Sequence, residues 1–174
     1  MKVYFVRHGE PDYTQRHTKI YRGYGAEMCP LALEGMKQIK KTAQDERLKQ
    51  AQYILSSPFM RAFQSGAILS RALKIDVIPV TDLHEWVPDK NYEFVDDTLA
   101  DERYDEYMAL GGEYPEGEDR PWESASHMRD RVLDVLRQCR YTDCIVVTAH
   151  GMLIEAVTGQ KIGRGEIVEY EFES

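Results

Sequence analysis

The triplet Arg7-His8-Gly9 stands directly behind a short run of β-branched and aromatic residues, Val3 to Val6. Two other groups of polar residues hold equivalent places. Ser56, Ser57 and, one helical turn on, Arg61 follow Tyr53-Ile54-Leu55, and His150-Gly151 follows the apolar run from Cys144 to Thr148. A neutral imidazole is a nucleophile and a proton carrier near neutral pH. A guanidinium presents a planar fork of donors that matches the oxygens of a phosphate. Two His and two Arg gathered at one place therefore suggest phosphate chemistry. Taken singly, each segment has a plainer role. Arg-His-Gly could be a strand end with a turn glycine, Arg61 a solvated helix residue, and His150 a helix cap. Ser-Ser-Pro reads as an N-cap with proline in the first turn.

The elements around these residues explain why they should meet. Val3 to Val6, Tyr53 to Leu55, Ile75 to Val80 and Cys144 to Thr148 read as short buried strands. Between them the apolar spacing predicts helices from Leu33 to Leu48, from the Ser-Pro start at Ser57-Pro58 through Leu73, and from Ala125 to Cys139. Ile167 to Phe172 alternates apolar and acidic residues, as an edge strand does. Strands alternating with helices call for a three-layer α/β/α sandwich around a mostly parallel sheet. In such sheets ligands bind beyond the carboxyl ends of the strands, where helix N-termini attract anions. Arg7, His8, Arg61 and His150 are all expected at that edge.

At 174 residues the chain has the size of a single domain, 1–174. The stretch from about 81 to 121 is acidic, aromatic and loop-rich, with a helix expected from Leu99 to Leu110. It reads as an insertion too polar to hold its own core. Within it Trp86, Tyr92, Phe94, Tyr104 and Tyr107 are expected to form a small satellite core, with one or two of them free to face a ligand. The formal net charge of −8 argues against a nucleic-acid partner but leaves room for a small anionic ligand held by clustered arginines. No apolar run is long enough for a bilayer span, so no membrane partner is expected. Lys2, then Val-Tyr-Phe-Val, then Arg7 is no secretory leader, which predicts a cytoplasmic protein. Cys29, Cys139 and Cys144 follow no metal-ligand spacing and read as free thiols.

In their order and spacing these motifs resemble those of the histidine phosphatase superfamily, the phosphoglycerate mutase-like phosphatases. Its Arg-His-Gly-Glu stands here as Arg7-His8-Gly9-Glu10, and its Ser-x-x-x-Arg-Ala-x-Gln as Ser57 to Gln64. Its Leu-x-Glu matches Leu83-His84-Glu85, its late His-Gly matches His150-Gly151, and Pro30-Leu31 with Gly35 resembles its Pro-Leu-Thr-x-x-Gly helix start. The departures are Ala32 in place of Thr, Thr14-Gln15 where many relatives carry an Asn, and Trp86 to Lys90 in place of a Gly-x-x-Glu-Gly. Ala32 should cost a helix cap and leave the chemistry alone.

The resemblance implies a phosphomonoester hydrolase that works through a phosphohistidine on His8. Arg7, Arg61 and His150 would bind the transferred phosphoryl group, and Glu85 would be the general acid and base, with Glu93 as the fallback. It implies no metal and no cofactor, and a small phosphorylated molecule as the partner. Arg16, Lys19, Arg22 and Lys90 are the nearest candidates for a second anionic group on that molecule, whereas His17, His84 and His127 are expected at the surface. Two other readings remain open: a mutase-type phosphotransferase, and a catalytically inactive phospholigand-binding protein. A metal-dependent hydrolase would need ligand spacing such as His-Glu-x-x-His, which the sequence lacks.

Overall fold

The computed structural model describes residues 1–16 and 26–173. The apolar runs form strands β1 (Lys2–Arg7), β2 (Ile54–Ser56), β3 (Val77–Pro79) and β4 (Cys144–Ala149), joined by β5 (Ile167–Glu171) into one sheet of order β3-β2-β4-β1-β5. The first four strands run parallel, and β5 closes the far edge antiparallel to β1. Among the described residues, five α-helices accompany them: α1 (Leu33–Thr42), α2 (Met60–Leu73), α3 (Asp97–Ala109), α4 (Ala125–Gln138) and α5 (Gly151–Thr158).

Because strand side chains alternate, each central strand is buried on both faces. Val3, Phe5, Ile145 and Val147 pack with Met128, Val132 and Leu136 of α4 and with Leu153 and Ile154 of α5. Tyr4, Val6, Ile54 and Val146 point the other way, onto Ile39 of α1 and Leu69 of α2. Two helical layers thus sandwich the sheet, as the strand–helix alternation predicts. Among the described residues no helix is long and apolar enough to cross a membrane.

Several boundaries differ from expectation. The helix expected to run to Leu48 stops at Thr42. Asp45 then takes extended backbone, accepts from the Arg47 amide and starts a separate 3-10 turn, Glu46–Gln50, which still buries Leu48. β3 is shorter than Ile75 to Val80 because it pairs only with the three residues of β2. Helix α2 begins at Met60 after an extended Phe59, so Ser57 is not its N-cap; Ser57 Oγ accepts from the Phe59 amide at 3.2 Å in a tight turn. As the alanine implies, Ala32 precedes α1 without any side-chain cap.

The loop behind β1 crosses the first turn of α1 with backbone against backbone. A Cβ on Gly35 would lie 2.2 Å from the Glu10 carbonyl oxygen, and one on Gly9 would lie 2.4 Å from the Gly35 oxygen. Only glycines allow that approach. Gly35→Ala is therefore expected to destabilise by about 1–3 kcal/mol through overpacking, although alanine is the better helix former. Thermal unfolding of the variant checks this; a raised Tm would mean the crossing is looser than described.

Candidate active site

Sheet register brings the polar segments together. Arg7 on β1 lies beside Ala149 on β4, and Ser56 on β2 beside Thr148, so His8, Ser57 and His150 leave three adjacent strands at one level. The His8 amide donates to the Ala149 carbonyl at 3.0 Å and the Ser57 amide to the Thr148 carbonyl at 3.0 Å, extending the sheet by one residue. The rings of His8 and His150 then stand edge to face, 5.2 Å apart.

His8 is buried, and both of its ring nitrogens are engaged. Nδ1 lies 2.7 Å from the Gly9 carbonyl, which can only accept, so Nδ1 carries the proton. Nε2 is left with a lone pair, and Arg61 Nε donates to it at 3.2 Å. Burial, reinforced by the charges of Arg61, Arg7 and Arg164, lowers the His8 pKa to about 3, so the ring is neutral at physiological pH.

Arg61 is buried too, which corrects its single-residue reading as a solvated helix residue. Its Nη1 donates to the Ala26 carbonyl at 2.7 Å, and its guanidinium lies over the Phe59 ring. Ser65, one turn on, accepts from the Gly9 amide at 3.3 Å and ties α2 to the His8 loop. Arg7 Nη1 donates to the Ile162 carbonyl at 2.7 Å. Gly151 opens α5 against the Arg7 guanidinium, where a Cβ would sit 3.0 Å from Cζ.

His150 has no solvent exposure and lies 2.7 Å from Ser57 Oγ through Nε2. Burial, aided by the Arg61 charge, pushes its pKa well below the usual histidine value. Its Nδ1 and the Nε of Arg7 are buried atoms without a hydrogen-bond partner among the described residues. Unpaired buried polar atoms are costly, and two here belong to residues at one sheet edge.

Glu85 comes to this edge by a different route. Its carboxylate accepts from the first-turn amides of α5, Leu153 at 3.1 Å and Met152 at 3.3 Å, and from the Trp86 amide at 3.1 Å. That helix begins just after His150, so the carboxylate sits beside the histidine segment. Burial raises its pKa despite the opposing amides and Arg61. The segment is held from both sides by residues that sequence reasoning missed. Arg131 donates to the Asp82 carbonyl, and Glu123 accepts from the Trp86 indole through its backbone oxygen at 2.8 Å. Glu123 and Arg131 themselves form a buried two-pronged ion pair, 2.7 and 3.0 Å. No local pattern in the sequence marks that pair, since its purpose depends on a loop far upstream in the chain. Glu93 is exposed.

His84 is buried, contrary to the surface expectation. Its Nδ1 donates to the Glu85 carbonyl at 2.6 Å and its Nε2 accepts from the Tyr92 hydroxyl at 2.9 Å, while Phe59 lies against its ring. His127 is exposed, and His17, Lys19 and Arg22 lie outside the described residues. Arg16 pairs with Asp97 at 3.0 Å, and Lys90 pairs with Asp119. In the insertion Trp86, Tyr104 and Tyr107 do pack edge to face, completed by Trp122 and Tyr114, whereas Tyr92 turns to His84 and Phe94 stays exposed. Among the described residues no group of His, Cys, Asp and Glu is arranged to hold a metal ion.

Comparison with protein families agrees with this arrangement. The model of the histidine phosphatase superfamily (branch 1) matches residues 3–166, and the chain belongs to that superfamily. Comparison with curated protein sequences gives no significant match. Among solved structures, mycobacterial glucosyl-3-phosphoglycerate phosphatase in complex with inorganic phosphate superposes with a TM-score of 0.72 at 18% identity, covering 97% of this chain and 88% of that one. The same phosphatase has been solved with VO3. TTHB049 from Thermus thermophilus gives a TM-score of 0.65 at 22% identity, covering 99% of this chain and 94% of that one. These likenesses carry the fold, which is that of the phosphoglycerate mutase-like phosphatases.

Proposed function

We propose that the chain is a phosphatase acting on a small phosphomonoester through a phosphohistidine on His8, as one histidine phosphatase domain with residues 81–121 as an insertion. The observation that carries this reading is the state of His8: neutral, protonated on Nδ1, with its Nε2 lone pair beside a buried guanidinium. Nε2 attacks phosphorus while the ester P–O bond breaks. Arg7, Arg61 and His150 hold the phosphoryl oxygens, where fixed donors stabilise the charge spread over them. Glu85, its pKa raised by burial, gives its proton to the leaving alkoxide. It then takes a proton from water as that water attacks the phosphohistidine; the N–P bond breaks and inorganic phosphate leaves. A mycobacterial phosphatase with this fold has been solved with inorganic phosphate, which supports a phosphorylated ligand for this chain.

In this reading Arg61 both binds phosphate and orients His8. Arg61→Ala is expected to lower kcat by about 10²–10³. Arg61→Lys should recover only part of the loss, because an ammonium lacks the planar fork. Steady-state kinetics on p-nitrophenyl phosphate decides the matter: full activity in Arg61→Ala would reduce this arginine to a packing residue.

Positive charge at the site comes from guanidinium groups, so turnover should need no metal. Prolonged chelation is expected to leave the rate unchanged. Activity that disappears on chelation and returns with Mg²⁺ or Zn²⁺ would overturn the mechanism.

A further inference from the structure

We propose that Arg164 is a specificity-determining residue that binds a carboxylate carried by the substrate close to its phosphoryl group. The inference rests on the phosphatase reading above and extends it to the substrate's chemistry.

Arg164 lies in the turn between α5 and β5, and that turn is built around Arg7. Ile162 accepts from the Arg7 guanidinium at 2.7 Å, the Gly165 amide donates to the Arg7 carbonyl at 3.0 Å, and the Arg7 amide donates to the Glu166 carbonyl at 3.1 Å. Gly165 holds a positive φ of 74° that lets the turn double back. Residue 164 is therefore carried by backbone fixed to the phosphate-binding arginine. Its side chain reaches toward the His8 loop and pairs with the carboxylate of Glu10, two residues beyond His8. Both partners are partly exposed, at 36% and 38%, so the pair sits at the rim of the site. Arg7 and Arg164 are close enough that the one depresses the pKa of the other, after burial has done so.

Three features point to a carboxylate. Arg164 already binds one, that of Glu10, so the seat beside the phosphoryl site is shaped for this group. The Glu10 main chain is held independently: its amide donates to Gln38 Oε1 at 2.8 Å and its carbonyl accepts from Ala32 at 2.9 Å. Its side chain can then yield without disturbing the loop. A partly exposed ion pair contributes little to stability, so exchanging one carboxylate for another costs little. The chain carries a net charge of −8, and an anionic substrate needs local cations to offset that field.

The test uses phosphoglycolate and ethyl phosphate, which differ in a carboxylate, as competing ligands during hydrolysis of p-nitrophenyl phosphate. The wild-type enzyme should bind phosphoglycolate more tightly. Arg164→Ala should cut that preference roughly tenfold, as expected for loss of a charged hydrogen bond, and Arg164→Lys should restore part of it. Glu10→Gln, which removes the competing carboxylate, should increase the preference and tests the idea even if the Arg164 variants fold poorly. A ratio of inhibition constants that stays the same in both Arg164→Ala and Glu10→Gln overturns the assignment. A wild-type protein that does not hydrolyse p-nitrophenyl phosphate overturns the phosphatase reading instead.

Discussion

His8→Ala is expected to abolish both turnover and the covalent intermediate. Rapid quenching of the wild-type enzyme with labelled substrate should trap label that is lost in acid and kept in alkali, and the variant should trap none. The loss of rate should be on the order of 10⁴–10⁶, the scale seen when an enzyme loses its nucleophile. The expectation follows from the way His8 is held. Gly9 fixes the proton on Nδ1, leaving Nε2 as the attacking atom, and a pKa of about 3 keeps the ring neutral in acid. Nitrogen NMR of the imidazole should accordingly show the same tautomer from about pH 8 to about pH 5, a range in which a free histidine changes charge. Label that survives acid would place the intermediate on a hydroxyl and remove His8 from its role.

Glu85→Gln should separate substrates by their leaving groups. Alkyl phosphates need a proton for the departing oxygen, so their hydrolysis should slow by about 10²–10⁴. Nitrophenolate leaves without much help, so p-nitrophenyl phosphate should suffer far less in the first step. With that ester the variant should accumulate phosphoenzyme, because glutamine cannot deprotonate the attacking water. Glutamine is close in shape, but it sets an NH₂ where one oxygen accepts from the α5 amides, so some loss from displacement is also expected. That loss affects both esters alike and does not erase the contrast. Small, equal losses would make Glu85 a bystander and move attention to Glu93.

The sequence carried the sheet well because hydrophobic runs and their period are local properties. Val3 to Val6 and Cys144 to Thr148 are apolar on both faces, and nothing but a central strand suits them. Helix ends were less legible. The Ser57-Pro58 start failed because Ser57 is engaged by His150, a partner 93 positions away. His84 was misplaced for a similar reason: its burial is set by Phe59 and Tyr92, which arrive from separate loops. The positions of Arg7, His8, Arg61 and His150 were legible as strand-end and helix-start residues. The route by which Glu85 meets them was not, since a carboxylate in an acidic loop does not announce which helix amides it will cap. Arg164 escaped notice because an arginine between two glycines reads simply as a turn.

The order of strands has a consequence for how the protein is made. β1 lies between β4 and β5, and its register with β4 joins Lys2 to Cys144. Both neighbours of β1 are thus synthesised long after it, β4 beginning only at Cys144 and β5 at Ile167. At about 5–20 residues per second, β1 waits roughly 7–30 s on the ribosome without a sheet partner. Throughout that interval Val3 to Val6, all buried in the finished fold, are available to other nascent chains and to chaperones. His8 has no site until β4 arrives, so activity should appear only at the end of folding and in one step, as a late reporter of a completed sheet.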